Sequence, residues 1–360
     1  MKEVINPGFC LGCGACVASC PFSVLEMVKQ KPKLVGRCEL CEICYFQCPQ
    51  LISSKELEQK VFGRNVEVEE TVGVYKGAVS VKTSDPEVIT RCQDGGAVTS
   101  LLESLLDAGF IDAAIVTASD EWYPSPQVAT SKVELLQCAG TRYSRGAVLL
   151  GVRNAADLYA REKVAFVGLP CQIKALRRMQ FNDLAVHRVI DGIKLCIGLF
   201  CMESFPYEEF FKKVIEEQLG IKLTEVTKFD IKRGRFQIYC RDKPKRELAV
   251  KALRQFVDAP CRLCPDFAAE LADLSVGAVG SPLGSSTVIL RTPLGAEAFR
   301  IAEEKGTLKV RPIEEVKPGI KAVERLSASK KRAMANELER RRRLGEPLPS
   351  WLQEQQTPPA

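Results

Sequence analysis

Cys10-Leu-Gly-Cys13-Gly-Ala-Cys16-Val-Ala-Ser-Cys20-Pro21 is answered downstream by Cys38-Glu-Leu-Cys41-Glu-Ile-Cys44-Tyr-Phe-Gln-Cys48-Pro49. Both runs have the spacing C-x2-C-x2-C-x3-C-P, in which three closely spaced thiolates wrap one iron–sulfur cube and the fourth reaches a neighbouring one. Paired C-x2-C also marks zinc ribbons, so zinc is the competing reading. The third and fourth cysteines of each run and the proline after them exceed what one tetrahedral zinc requires. The stretch predicts a module that carries electrons.

The runs resemble those of two-cluster ferredoxins, in which the fourth cysteine of each run crosses over. One 4Fe-4S cluster then takes Cys10, Cys13, Cys16 and Cys48, and the other takes Cys38, Cys41, Cys44 and Cys20. Residues 1–64 are expected to form this module, with the polar segment from Lys55 to Glu70 as the connection onward. A module of this size has few core residues, so cluster binding supplies much of its stability.

The remaining length of the 360-residue chain is enough for a core domain of ordinary to large size. With 46% hydrophobic and 27% charged residues, the composition is that of a folded globular chain. Sixteen cysteines, half of them in the two runs, indicate reduced thiolates rather than a disulfide framework. The first residues lack the apolar centre of a signal peptide, which points to a reducing cytoplasm. No apolar run is long enough to span a bilayer; the nearest, from Val186 to Cys201, is broken by Arg188, Asp191 and Lys194. A membrane would therefore be reached through a partner. The net charge of +6 is modest and concentrated near the C-terminus, so it argues little for nucleic acid and is compatible with an anionic ligand.

From about Val72 strand and helix signals alternate. Strands are expected at Gly73–Val81, Ile111–Val116, Val164–Val167 and Ile193–Phe200, and helices at Ala97–Asp107, Arg145–Arg161, Cys171–Met179 and Pro206–Gln218. Residues 225–291 are richer in strands, so the core, residues 65–318, is read as mixed α/β rather than a regular doubly wound sheet. Residues 319–360 form a Lys/Arg/Glu-rich tail, read as a solvated helix face or a floppy end, against docking on an acidic partner or a membrane surface.

Outside the module, Cys171 and Cys201 end predicted buried strands, where active-site groups gather in α/β folds, and Cys261-Arg-Leu-Cys264-Pro265 is a further C-x2-C-P. Four such thiolates could bind a third cluster; isolated cysteines are also ordinary small hydrophobes, the reading preferred for Cys92, Cys138, Cys196 and Cys240. Gly95-Gly96 opening a helix is either a seat for phosphate or a tight turn. Gly277 to Thr287 could approach a flat ligand or simply join two strands. A nicotinamide fingerprint is absent. With a single histidine, His187, and no G-x-S-x-G, neither a hydrolytic triad nor a multi-histidine metal site can be assembled.

Gly95-Gly-Ala-Val-Thr99, Ala139-Gly-Thr-Arg142-Tyr143-Ser144, Val167-Gly-Leu-Pro-Cys171-Gln, Ile197-Gly-Leu-Phe-Cys201 and Cys261-Arg-Leu-Cys264-Pro-Asp266, in this order, resemble the family of beta subunits of coenzyme F420-dependent hydrogenases and dehydrogenases. The resemblance implies FAD bound in the core, a 4Fe-4S cluster close to it, and hydride exchange between the flavin and coenzyme F420 as substrate. It assigns Gly95, Gly96 and Thr99 to FAD, Arg142, Tyr143 and Ser144 to flavin or coenzyme, and Cys171, Cys201, Cys261 and Cys264 to the third cluster. No side chain is the hydride acceptor; that role falls to the flavin N5. With the ferredoxin-like module in front, the chain looks most like the electron-input subunit of F420H2 dehydrogenases. Its partner would be a membrane-bound quinone or methanophenazine reductase complex, or else ferredoxin, with an F420-linked hydrogenase or formate dehydrogenase as a further setting. A conduit subunit without flavin is the non-catalytic alternative. Arg142, Arg145 or nearby lysines could steer the anionic coenzyme.

Overall fold

The computed structural model describes residues 2–241 and 243–353. In chain order, a hairpin of β1 (Leu25–Val28) and β2 (Lys31–Leu34) sits between the two cysteine runs. The core begins with β3 (Gly77–Thr83), then the pair β4 (Ala113–Asp120) and β5 (Tyr123–Ala129), then β6 (Val164–Gly168) and β7 (Ile193–Leu199). An antiparallel sheet of β8 (Val226–Lys232), β9 (Arg235–Cys240) and β10 (Lys243–Ala249) follows, and β11 (Leu274–Gly277), β12 (Ser286–Leu290) and β13 (Leu308–Pro312) return to the main sheet. That sheet has eight strands in the order β13-β3-β12-β11-β7-β6-β4-β5. The central run β11-β7-β6-β4 is parallel and the flanks are antiparallel, so the chain is a mixed α/β protein with a mixed sheet.

The central strands are continuous apolar runs because both faces are covered. All five residues of β6 are buried. One face carries the helix Ala97–Asp107, whose Leu101, Leu102 and Leu105 pack with Val167, Ile197 and Val288. The other carries Pro170–Phe181 and Leu150–Asp157, which bury Ile173, Leu176 and Val152. The β8–β10 sheet packs its Phe229, Phe236 and Ile238 on Phe210 and Phe211 of Tyr207–Gln218, a helix wound with the wider π repeat.

The ferredoxin-like module shares its apolar interior with the core: Leu11, Cys13, Ala15, Ala18, Ile52 and Leu57 belong to the same cluster as Val148, Leu149 and Ile173. Leu57 lies on the helix Ser54–Phe62, so the segment expected to be a polar connection is instead an amphipathic helix; its charges face water while Leu57, Val61 and Phe62 face inward. The basic C-terminal stretch is also ordered. Ile320–Leu344 is one long helix, and a following turn brings Trp351 and Leu352 against Val4, Phe9, Cys10, Cys48 and Leu263. One helix face is solvated, as its charge pattern foretold; the other, bearing Ala322, Val323, Ser327 and Lys330, is buried.

Candidate functional site

In each run the first two cysteines precede a one-turn helix, Ala15–Ala18 or Ile43–Phe46, the third lies within it and the fourth follows it. Each turn is entered through a left-handed residue, Gly14 or Glu42, with no side chain capping it. This conformation bends the chain around a centre instead of along an axis. In the first run it forms a pocket walled by Cys10, Cys13, Cys16 and the crossover residue Cys48. A cradle lined by these four thiols fits an inorganic cluster.

Burial and neighbouring thiols set the electrostatics of these cysteines. Burial pushes Cys13 up to about 12, and the neighbouring charges of Cys48 and Cys10 add to it. Cys48 rises to about 11, again chiefly by burial, with Cys10 beside it. Cys44 is raised by burial and by Cys20, Cys41 and Cys38, the second set. Cys171 is pushed to about 12 by burial, against the pull of Arg145, with Cys264 and Cys261 close enough to contribute. Cys201 is raised in the same way by burial, against Lys330, and by Cys261, Cys171 and Cys264. Thiols raised in this way stay protonated on their own and would ionise only beside a strong positive charge such as that of iron.

Among the described residues, no three or more His, Cys, Asp or Glu gather as a site for a single metal ion.

The sets also form a series. Cys13 contributes to the charge felt by Cys171, and Cys44 to that felt by Cys16. The Cys13 carbonyl accepts from Leu149 N–H at 3.1 Å, and Gln30 Nε2 donates to the Arg145 carbonyl at 2.6 Å, so the module is bonded to the core where the first and third sets approach. Cys38 and Cys41, by contrast, are exposed, and Leu40 between them is 81% exposed.

Cys171 and Cys201 follow the carboxyl ends of the adjacent parallel strands β6 and β7, as expected. Cys261 and Cys264 come from the 3-10 turn Ala259–Leu263 and its end. Arg145 is buried there and paired with Asp258, with its Nε and Nη1 left without partners. Burial would lower its pKa, but Cys261, Asp258 and Cys171 hold it above the ordinary arginine value. That position corrects the notion that Arg145 steers an approaching coenzyme, because a buried, paired guanidinium cannot reach out.

Gly95, Gly96 and Thr99 begin the Ala97–Asp107 helix, which no side chain caps. Gly95 packs so closely on β3 and Ser286 that a Cβ would lie 2.4 Å from Ser286 N and 2.5 Å from Val81 O. Its own N–H donates to Ser286 Oγ at 3.1 Å, so the groups available to a ligand begin at Gly96. Arg142, Tyr143 and Ser144 lie on the neighbouring loop, joined to this one by Thr141 N–H donating to Gln93 Oε1 at 3.4 Å. Lys228 of β8 closes the third side, donating to the Gln93 carbonyl at 3.0 Å. Arg142 Nε and Ser144 Oγ are buried without partners, and Tyr143 holds the left-handed φ of 56°. Orphaned donors and a strained non-glycine residue on one loop fit a bound group that is itself polar. The isoalloxazine and phosphates of a flavin meet that description.

Sequence reading missed Arg145 as a neighbour of the third set, and missed Lys330 and Lys174 altogether. Lys174 lies by Trp351 in a space lined by Cys171, Cys264 and Pro49, and burial lowers its pKa to about 8. Lys330 had a legible signal: Val323, Ser327 and Lys330 follow at intervals of four and three, one face of a helix. His187 is exposed and paired with Asp191, a surface role.

An iron–sulfur redox protein is what the module and the thiol sets define. Residues 3–26 match the 4Fe-4S binding domain model. Residues 78–152 and 161–316 match the two models of the coenzyme F420 hydrogenase/dehydrogenase beta subunit, N-terminal and C-terminal. Coenzyme F420 hydrogenase subunit beta of Methanothermobacter thermautotrophicus is 41% identical over 77% of this chain and 99% of its own. A subunit of the F(420)H(2) dehydrogenase of Methanosarcina mazei is 29% identical over 93% of both chains. Coenzyme F420-dependent sulfite reductase of Methanocaldococcus jannaschii is 36% identical over 88% of this chain and 50% of its own length. A chain of the F420-reducing NiFe hydrogenase complex from Methanosarcina barkeri superposes with a TM-score of 0.72 at 33% identity, over 76% of this chain and 94% of that one. The chain belongs to the family of coenzyme F420 hydrogenase/dehydrogenase beta subunits and is a coenzyme F420-dependent oxidoreductase subunit. Among the described residues no helix is long and apolar enough to cross a membrane.

Proposed function

We propose that this chain oxidises reduced coenzyme F420 and delivers the electrons singly to a partner protein, most closely as the input subunit of an F420H2 dehydrogenase complex. A bound FAD would supply the exchange of a hydride for two single electrons, and three 4Fe-4S clusters would supply their conduction. Gly96 and the free N–H groups after it, with Thr99, would hold the flavin phosphates at the helix start. Arg142 Nε and Ser144 Oγ would donate to the flavin or the coenzyme, and Tyr143 would pack against them. Lys228 and Lys232 border that opening, both facing the Asp230 carboxylate, with Asp94 beside them.

Cys171, Cys201, Cys261 and Cys264 would hold the cluster nearest the flavin loop. Cys10, Cys13, Cys16 and Cys48 would hold the middle one, and Cys38, Cys41, Cys44 and Cys20 the outermost. The observation that carries this reading is the serial order of the thiol sets, from the Arg142–Arg145 loop to the exposed Cys38–Cys41 turn. Residues 1–64, 65–318 and 319–360 then divide by role into exit wire, flavin core and a tail whose residues 319–353 cover the clusters, Met1 and residues 354–360 lying outside the described residues.

The dehydrogenase setting draws on length: the alignment with the M. mazei F(420)H(2) dehydrogenase protein takes in 93% of this chain, where that with the M. thermautotrophicus hydrogenase beta subunit takes in 77%. A soluble coenzyme F420:ferredoxin oxidoreductase is the second reading, favoured by the exposed Cys38–Cys41 turn, which a small carrier can approach directly. Anaerobic oxidation of reduced coenzyme F420 with an artificial acceptor, together with flavin quantitation, tests the enzyme reading. Stoichiometric FAD and turnover are expected; a reconstituted protein without FAD would be a conduit alone. Co-purification with quinone- or methanophenazine-reducing membrane subunits separates the two settings.

A further inference from the structure

The helix Ile320–Leu344 begins after residue 316, where the match to the beta subunit models ends, yet it delivers an ammonium to the Cys171–Cys264 set. Lys330 is 5% exposed. Its Nζ donates to the carbonyl of Cys201 at 2.6 Å and to that of Asp266 at 2.7 Å. Both acceptors are neutral oxygens, and no ion pair to Lys330 occurs among the described residues. The charge is left to act on Cys264, Cys201, Cys261 and the Asp266 carboxylate around it. Arg145, on the other side of the set, has Asp258 as its ionic partner.

Burying an ammonium with no carboxylate in direct contact is costly, even with Asp266 and Glu203 nearby, and two carbonyl bonds could be made by a neutral amide at less cost. A role as a simple tether therefore leaves the charge unexplained. One-electron reduction adds negative charge to a cluster, and a fixed cation in a low-dielectric site favours the reduced form.

We propose that Lys330 is a tuning residue that raises the reduction potential of the third cluster, making it the better electron acceptor on the flavin side. This rests on the three-cluster reading above. The C-terminal helix then belongs to the electron path: it supplies the charge, and the short segment after it, with Trp351 donating to Gln50 Oε1 at 3.1 Å, lies beside Cys171 and Cys264 of the third set and Pro49 of the module.

The test is an EPR-monitored redox titration of the full-length, reconstituted protein with Lys330→Gln and Lys330→Arg. One of three midpoints should fall in Lys330→Gln by about tenfold in the reduction equilibrium, about 59 mV for one electron. Lys330→Arg, which keeps the charge, should restore it. Unchanged midpoints in Lys330→Gln, or equal shifts in both variants, overturn the proposal. Wild-type protein with only two clusters overturns the three-cluster reading and this inference with it, whereas three clusters with an unmoved midpoint overturn this inference alone.

Discussion

Two cysteine runs with the same spacing end in opposite surroundings. The inner set, Cys10, Cys13, Cys16 and Cys48, is 7 or 8% exposed and belongs to the packing of the core. Cys38 and Cys41 of the outer set stand in solvent on a turn with no buried residue from Arg37 to Glu42. The spacing fixes what is bound, and the surroundings fix what the bound group can meet. A buried cluster can exchange electrons only with its neighbours in the chain; an exposed one can meet another protein.

The contrast can be broken most directly at the inner set. Cys13→Ser should cut electron delivery to a protein acceptor by at least about 100-fold, remove about four of the irons, and lower thermal stability, because the residue also packs in the core. Cys41→Ser should remove a similar amount of iron and abolish reduction of the protein partner. It should leave reduction of a small dye and the melting temperature near those of the parent. If both variants behave alike in dye reduction and melting, the distinction between inner and outer sets is wrong.

A finer test uses pH. In the cluster-free protein Cys13 and Cys48 are raised to about 12 and about 11 from an ordinary 9.0. Between those values the unfolded chain has released protons that the folded chain retains, so stability is present below pH 9 and falls as pH rises through the window. Urea unfolding of the iron-free protein should show that decline, and Cys13→Ala with Cys48→Ala should make it shallower, the remainder coming from other buried thiols such as Cys171. The smallest expected effect is at the joint itself. Gln30→Ala removes the bond to the Arg145 carbonyl and should cost about 1 kcal/mol, measurable as a shift in denaturant midpoint with an unchanged slope.

The sequence was most legible where burial is two-sided. Val164–Gly168, Ile193–Leu199 and Ala97–Asp107 lie where their apolar patterns put them, to within a residue or so, because a covered strand or helix face leaves a continuous signature. The unexpected strands are all at edges. Tyr123–Ala129 carries Pro124 and Pro126, which an edge tolerates because its outward N–H groups have no partner to lose. Leu308–Pro312 ends the same sheet on its other side, and Lys243–Ala249, with its lysines and arginine, is the edge of the smaller one.

At the site, the cysteine spacing marked the two ferredoxin-like runs, while the third set, Cys171, Cys201, Cys261 and Cys264, came from family resemblance. The cations around them were less legible: Arg145 reads as a surface residue beside Gly146, and Lys330, though in phase with Val323 and Ser327, is set in a run of like charges. Only the packing of distant segments shows which charges are buried.

The central claim is a series of three clusters leading from the flavin loop to the exposed turn. Iron and labile sulfide quantitation on anaerobically reconstituted protein, read with EPR spectra of the fully reduced state, tests it most directly. About twelve irons per chain, with the broadened signals of magnetically coupled clusters, is the predicted result. About eight irons, or signals free of coupling, would contradict it.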